Sequence, residues 1–91
     1  MSGVGGAPVG AWVNERGFGT DLFDEYGNLV GWVWIDEWHA WPGDDVREPF
    51  AGGHCSDAEA GMRACEAALH AAGVAYCTLG PAGLGVAESA Q

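Results

Sequence analysis

At 91 residues the chain has room for one small domain, and 13 acidic residues against three arginines and no lysine give a formal net charge of −10. That balance excludes direct binding to a phosphate backbone, which needs a basic footprint. Sixteen glycines without a Gly-X-Y period, beside only four prolines, exclude collagen-like and Pro-rich classes.

Residues 1–8 and 80–91 are Gly-rich with nothing periodic to bury, and read as flexible tails around a single domain at 9–79. No basic segment precedes an apolar run near the N-terminus, and no apolar stretch is long enough to span a membrane, so neither a secretion signal nor a membrane contact is expected. Cys55, Cys65 and Cys77 are an odd set without CxxC spacing, which fits reduced thiols and places the protein in the cytoplasm. Fifteen of the apolar residues are alanines, so the core rests on larger side chains, five of them tryptophans.

The first strand is expected at 11–15 and the second at 20–24, joined as a hairpin through Gly17 and Gly19. Tyr26, Gly27 and Asn28 mark a tight turn into the strongest strand signal, residues 29–37, rich in β-branched and aromatic types. A period of two sends Val30, Trp32 and Trp34 to one face and Gly31, Val33 and Ile35 to the other, so both faces seek cover. Residues 38–53 carry Pro42, Pro49 and several glycines and acids, and read as a long loop.

Ser56-Asp57-Ala58-Glu59 fits a capping box opening a helix that stops at Gly73. Ala58, Met62, Cys65, Leu69 and Ala72 form its apolar stripe, with Glu59, Arg63, Glu66 and His70 on the opposite side. Residues 74–79 supply an optional last strand. The expected fold is α+β: a small antiparallel sheet of three or four strands packed by one α-helix, in the order β-β-β-α with that final β. One face of the sheet is left without cover, the usual mark of an interface.

The cysteines are too widely spaced for a structural zinc site, and Cys55, though near a helix N-terminus, has no oxyanion loop, orienting partner or substrate pocket that the sequence identifies. The carboxylates around Asp24 lack the pattern of a calcium loop, and the glycine runs lack a GK[ST] phosphate motif. The expectation is therefore a non-enzymatic protein with no metal and no cofactor. What stands out is that nine of the acids lie between positions 15 and 48, together with four of the five tryptophans. Aromatic anchors inside a charged rim compose recognition surfaces, and a dense carboxylate field steers docking onto a basic partner. The candidate partner-binding residues are Asp21, Asp24, Glu25, Asp36, Glu37, Asp44, Asp45 and Glu48 for steering, with Trp38 or Trp41 as loop anchors.

A Trp-rich strand region (GWVWIDEWHAW), a Gly-Gly loop and a capped Ala/Glu helix (SDAEAGMRACEAALHAAG) together resemble small acidic phage-encoded inhibitors of the anti-CRISPR and anti-restriction type. The resemblance covers residues 11–73, is one of architecture and composition, and carries no functional residue over. It implies inhibition by occupation: an acidic protein fills the basic nucleic-acid channel of a host defence complex, such as a CRISPR effector, and blocks DNA. The alternative expectation is a structural or assembly protein that forms a homodimer through the sheet face around Trp32 and Trp34.

Overall fold

The computed structural model describes residues 8–14, 19–43, 47–80 and 83–87. The expected tail at 1–7, the strand end and turn at Glu15 and Gly17, the acids Asp44 and Asp45, and 88–91 lie outside the described residues. Strands β1 (Thr20–Phe23), β2 (Leu29–Trp34), β3 (Glu37–Ala40) and β4 (Ala51–His54) precede helix α1 (Ala58–Ala72), which is followed by β5 (Tyr76–Gly80) and β6 (Gly83–Ala87). The first four form an antiparallel sheet in sequence order and the last two a separate hairpin. The fold is thus the α+β arrangement that the patterning predicts, a four-stranded antiparallel sheet packed by one helix. The stretch after Gly80, read from composition as a tail, carries β6. No helix among the described residues is long and apolar enough to cross a membrane.

Two boundaries need correction. The strand expected at 29–37 folds back at Ile35-Asp36, pairing Trp34 with Glu37 and Trp32 with His39. Its second half is β3, so the expected loop at 38–53 holds most of β3 and β4, with Pro42 and Pro49 in the sequence between them. The two-residue turn escapes sequence reading because it lacks the usual Asn-Gly or Gly-X signal. Strand β4, Ala-Gly-Gly-His, contains no strong strand former; it pairs because Trp38 lies over Gly53, its indole Nε1 3.2 Å from where a Cβ would stand.

The expected first hairpin is reduced to a bridge: Val13 and Asp21 exchange backbone bonds of 2.9 and 2.7 Å. A few residues earlier, Gly10 bridges Thr78, and the Ala11 N–H donates to the Cys77 carbonyl at 3.0 Å. The N-terminal segment thereby ties β1 to β5. The next turn forms where Gly27 and Asn28 predict it, Gly27 having φ 85°. The Asp24 carboxylate secures it by accepting from the Tyr26 and Asn28 backbone N–H groups at 2.9 and 2.8 Å.

The helix starts one residue later than the capping box implies. Asp57 is its N-cap and accepts from the Ala60 N–H at 2.8 Å. Gly73 ends it at φ 78°, the left-handed conformation expected there. The buried face comprises Gly61, Cys65, Glu66 and Leu69, while Ala58 and Ala72 are exposed. Glu66, placed by periodicity on the solvent side, is therefore inside.

Small residues set the helix–sheet distance. A Cβ at Gly31 would lie 2.8 Å from Cys65 Sγ, and one at Gly61 would lie 2.9 Å from Val33 Cγ1. Around this contact Leu22, Val30, Ala40, Cys65, Leu69 and Tyr76 form the core. Val30 joins them rather than the face of Trp32 and Trp34. Between Leu22↔Gly31 and Phe23↔Leu29 strand β2 contributes one extra residue, and that residue is Val30.

Burial pushes the Cys65 thiol up to about 12, the nearby Glu66 charge adding to the rise. Tyr76 is raised in the same way, mainly by burial. An unfolded thiol releases its proton near pH 8.5, so above that pH the folded state holds a proton the unfolded state has lost. Stability should accordingly fall by about 1.4 kcal/mol per pH unit on this account. Urea unfolding of the wild type at alkaline pH should show the decline, and Cys65→Ala should flatten it; equal slopes in both proteins would refute the assignment.

Candidate functional site

The face of the sheet away from the helix carries a row of rings. Trp34 and Trp32 have centroids 5.8 Å apart, Trp32 and His39 stack at 5.8 Å with planes 19° apart, and His39 meets Trp41 at 6.1 Å. The register makes the row, since Trp32 stands opposite His39 and Trp34 opposite Glu37. Burial is graded along it: Trp41 is 9% exposed and Trp34 46%. Gly19, at φ 75°, lets the backbone approach so closely that a Cβ there would overlap the Trp32 indole nitrogen.

At the open end of the row the β2–β3 turn projects Ile35, 69% exposed and with φ 60°. Asp36 and Glu37 follow it, both exposed, and β3–β4 pairing sets His54 opposite Glu37. One donor atom from each of Asp36, Glu37 and His54 falls within 4.8 Å of the others, and Glu37 Oε1 lies 3.6 Å from His39 Nε2. Oxygen and imidazole donors of this kind suit a divalent cation, but all three are exposed to water and no further ligand joins them among the described residues. Their direct effect is a negative field around an apolar tip. The same field reaches Cys55, whose thiol is raised by burial first and then by Asp36, Asp57 and Glu37.

The acids singled out by composition that fall among the described residues do not form one patch. Asp36 and Glu37 come together at the tip, whereas Asp24 and Glu25 lie at the β1–β2 turn at the other end of β2. That turn borders a cleft of about 260 Å³ walled also by Tyr26, Pro42, Gly73 and Val74. Asp21 is buried, opposite Trp32 in the register, so its side chain is not exposed for contact with a partner. Glu48 is exposed in the β3–β4 connection.

Trp38 is not a loop anchor: it sits in β3 and packs against the core. Trp41 follows β3 and is buried at the inner end of the ring row. The large apolar side chains exposed among the described residues are Val9, Tyr26, Trp34, Ile35 and Phe50, and of these Trp34 and Ile35, which patterning assigned to strand interior, directly precede Asp36 and Glu37. His39 and His54 were missed as neighbours of the acids because only the pairing of β3 with β2 and β4 places them there. No protein-family model, curated protein or solved structure matches this chain.

Proposed function

We propose that this protein is a non-enzymatic acidic binding module of the cytoplasm. It docks the β2–β3 tip, Trp34 and Ile35 flanked by Asp36 and Glu37, into a basic nucleic-acid-binding surface of another protein and so keeps the nucleic acid out. A defence complex of the CRISPR or restriction type is the partner class, as in the phage-type inhibitors the sequence resembles.

The observation that carries this reading is Ile35. A β-branched residue at φ 60° costs about 1–2 kcal/mol relative to an ordinary conformation, and its side chain, 69% exposed, recovers little of that by packing. Backbone strain of this kind concentrates at binding sites, where a partner compensates it. A chain of net charge −10 places around that tip the carboxylates a lysine- and arginine-lined channel attracts.

Homodimerisation through the aromatic face is the weaker reading. Trp32 and Trp41 already pack within their own chain, and two copies meeting at Trp34 would bring Asp36 and Glu37 of each together.

The test is retention of target DNA by a purified CRISPR effector complex, and separately by a restriction complex, with and without the protein. Wild type should displace DNA, more strongly at low salt. Ile35→Gly should relieve the backbone and leave unfolding stability equal or higher, yet weaken inhibition about tenfold, the effect of losing roughly 1.4 kcal/mol of contact. Asp36→Asn with Glu37→Gln should weaken inhibition and flatten its salt dependence. Failure of the protein to affect either complex, or full inhibition by the Ile35→Gly protein, would defeat the proposal.

A further inference from the structure

The two edges of the four-stranded sheet are treated differently. At β1 the edge is partly closed by the N-terminal segment, Val13 exchanging both backbone bonds with Asp21. At β4 no strand among the described residues pairs with the outer side. The orientation of its groups follows from the ladder: the Cys55 N–H turns inward to the Asp36 carbonyl at 2.8 Å. The antiparallel alternation then directs Ala51 and Gly53 to β3, and the N–H and C=O groups of Gly52 and His54 to the open side.

Proteins usually guard such an edge with lysine, proline, a bulge or a covering segment. Strand β4 contains neither lysine nor proline, its register with β3 is unbroken, and Gly52, Gly53 and His54 are exposed. The glycines have a reason within the sheet, since a Cβ at Gly52 would lie 2.8 Å from the Trp38 carbonyl oxygen. The consequence is an edge with no side chain at its two central positions. Helix α1 packs on β2, β3 and β4 and leaves Gly52, Gly53 and His54 exposed.

We infer that the β4 edge takes up an extended segment of the partner as an added strand, and that this segment carries arginine or lysine where it passes His54. The inference rests on the proposed function for the partner being basic, and adds the means of grip. Charge selects the occupant: Asp36 and Glu37 converge on His54 at the end of β4, Asp57 lies just beyond, and no lysine or arginine occurs between positions 50 and 60. A second copy of this chain would bring no cation from its own β4. The edge is also continuous with the tip, because Glu37 and His54 are paired residues, so one partner segment reaches both. Backbone bonding supplies affinity and the carboxylates supply selection, as in strand addition generally.

The probe is a synthetic peptide of alternating arginine and valine, followed by amide hydrogen exchange on the intact protein. The basic peptide should slow exchange at Gly52 and His54 by at least about tenfold, leaving the core strand β2 unaffected. The same peptide N-methylated at alternate amides should bind about tenfold more weakly, the effect of losing one or two net hydrogen bonds. An alternating glutamate and valine peptide should not bind, and Asp36→Asn with Glu37→Gln should weaken the arginine peptide.

Equal binding of the N-methylated and unmodified basic peptides would overturn strand addition while leaving the acidic-module reading intact. Binding of the acidic peptide as tightly as the basic one would overturn both. Protection of Gly52 and His54 that rises with protein concentration alone would assign the edge to a second copy and overturn the inference.

Discussion

Glu66→Ala should destabilise the protein by about 3 kcal/mol, out of a total of roughly 5–14 kcal/mol for a domain of this length. Glu66 is 7% exposed, and its carboxylate accepts from the Val9 N–H at 3.1 Å, the Gly10 N–H at 2.6 Å and the Trp12 Nε1–H at 2.7 Å. Three donors from one short segment converge on a single charged acceptor. Removing it leaves the Gly10 N–H and the indole N–H without a partner, each costing about 1–3 kcal/mol where water does not reach. Val9 is 51% exposed, so its N–H recovers a bond to solvent and the three losses do not simply add.

Glu66→Gln keeps one acceptor oxygen but turns an NH₂ group toward donors, and should cost about half as much. Urea unfolding gives the energies; faster exchange at Val9 and Gly10, with a red-shifted Trp12 contribution to the fluorescence, should accompany them. A loss below about 1 kcal/mol with unchanged exchange at those amides would show that the segment is held by packing alone.

Gly31→Val should cost about 3 kcal/mol, and Gly31→Ala about 2 kcal/mol, as expected for added volume in a filled core. Even a bare Cβ at position 31 would lie 2.8 Å from Cys65 Sγ, 3.0 Å from Trp12 Cη2 and 3.2 Å from Leu22 Cβ. The Leu22 Cβ belongs to a paired strand and the Trp12 ring is tethered to Glu66, so neither yields cheaply. The helix must then ride up from the sheet, loosening Gly61 against Val33 as well. Cys65→Ala should partly rescue Gly31→Ala by removing the sulfur it strikes, and a double-mutant cycle measures this directly. Strictly additive losses would mean that the clash is relieved elsewhere.

These two residues also mark the limits of sequence reading. Gly31 lies inside a strong strand pattern, where glycine is a weakness unless another backbone or side chain comes close. The sequence shows the glycine but not the sulfur that needs its space. Glu66 is more instructive, because helical periodicity put it with Glu59, Arg63 and His70, and Glu59 and His70 are indeed exposed. Its burial arises because the segment 8–14 crosses that side of the helix and brings donors to it. No local pattern around Ala64–Ala68 contains that information.

The candidate site divides in the same way. Asp36 and Glu37 were legible as a charged pair beside tryptophans, but their companions were not. Whether residues 29–40 form one strand or a hairpin turns on Ile35 at φ 60°, a conformation that β-branched residues avoid. Propensity therefore extends the strand through the place where the chain reverses. Once it reverses, Trp34 and Ile35 become a tip, His54 falls beside Glu37, and Trp38 and Trp41 are drawn inward.

By itself the sequence determined the class of the fold, the helix with its glycine stop, the β1–β2 turn, and a net charge of −10. Each of these depends on neighbours in the chain or on composition, so each is written locally. Tertiary structure alone decided the strand count at 29–54, the inward position of Glu66, the placement of the described acids and tryptophans, and the open edge at Gly52 and His54. Those are set by which segments pair and what lies across from them, and such contacts join residues far apart in sequence.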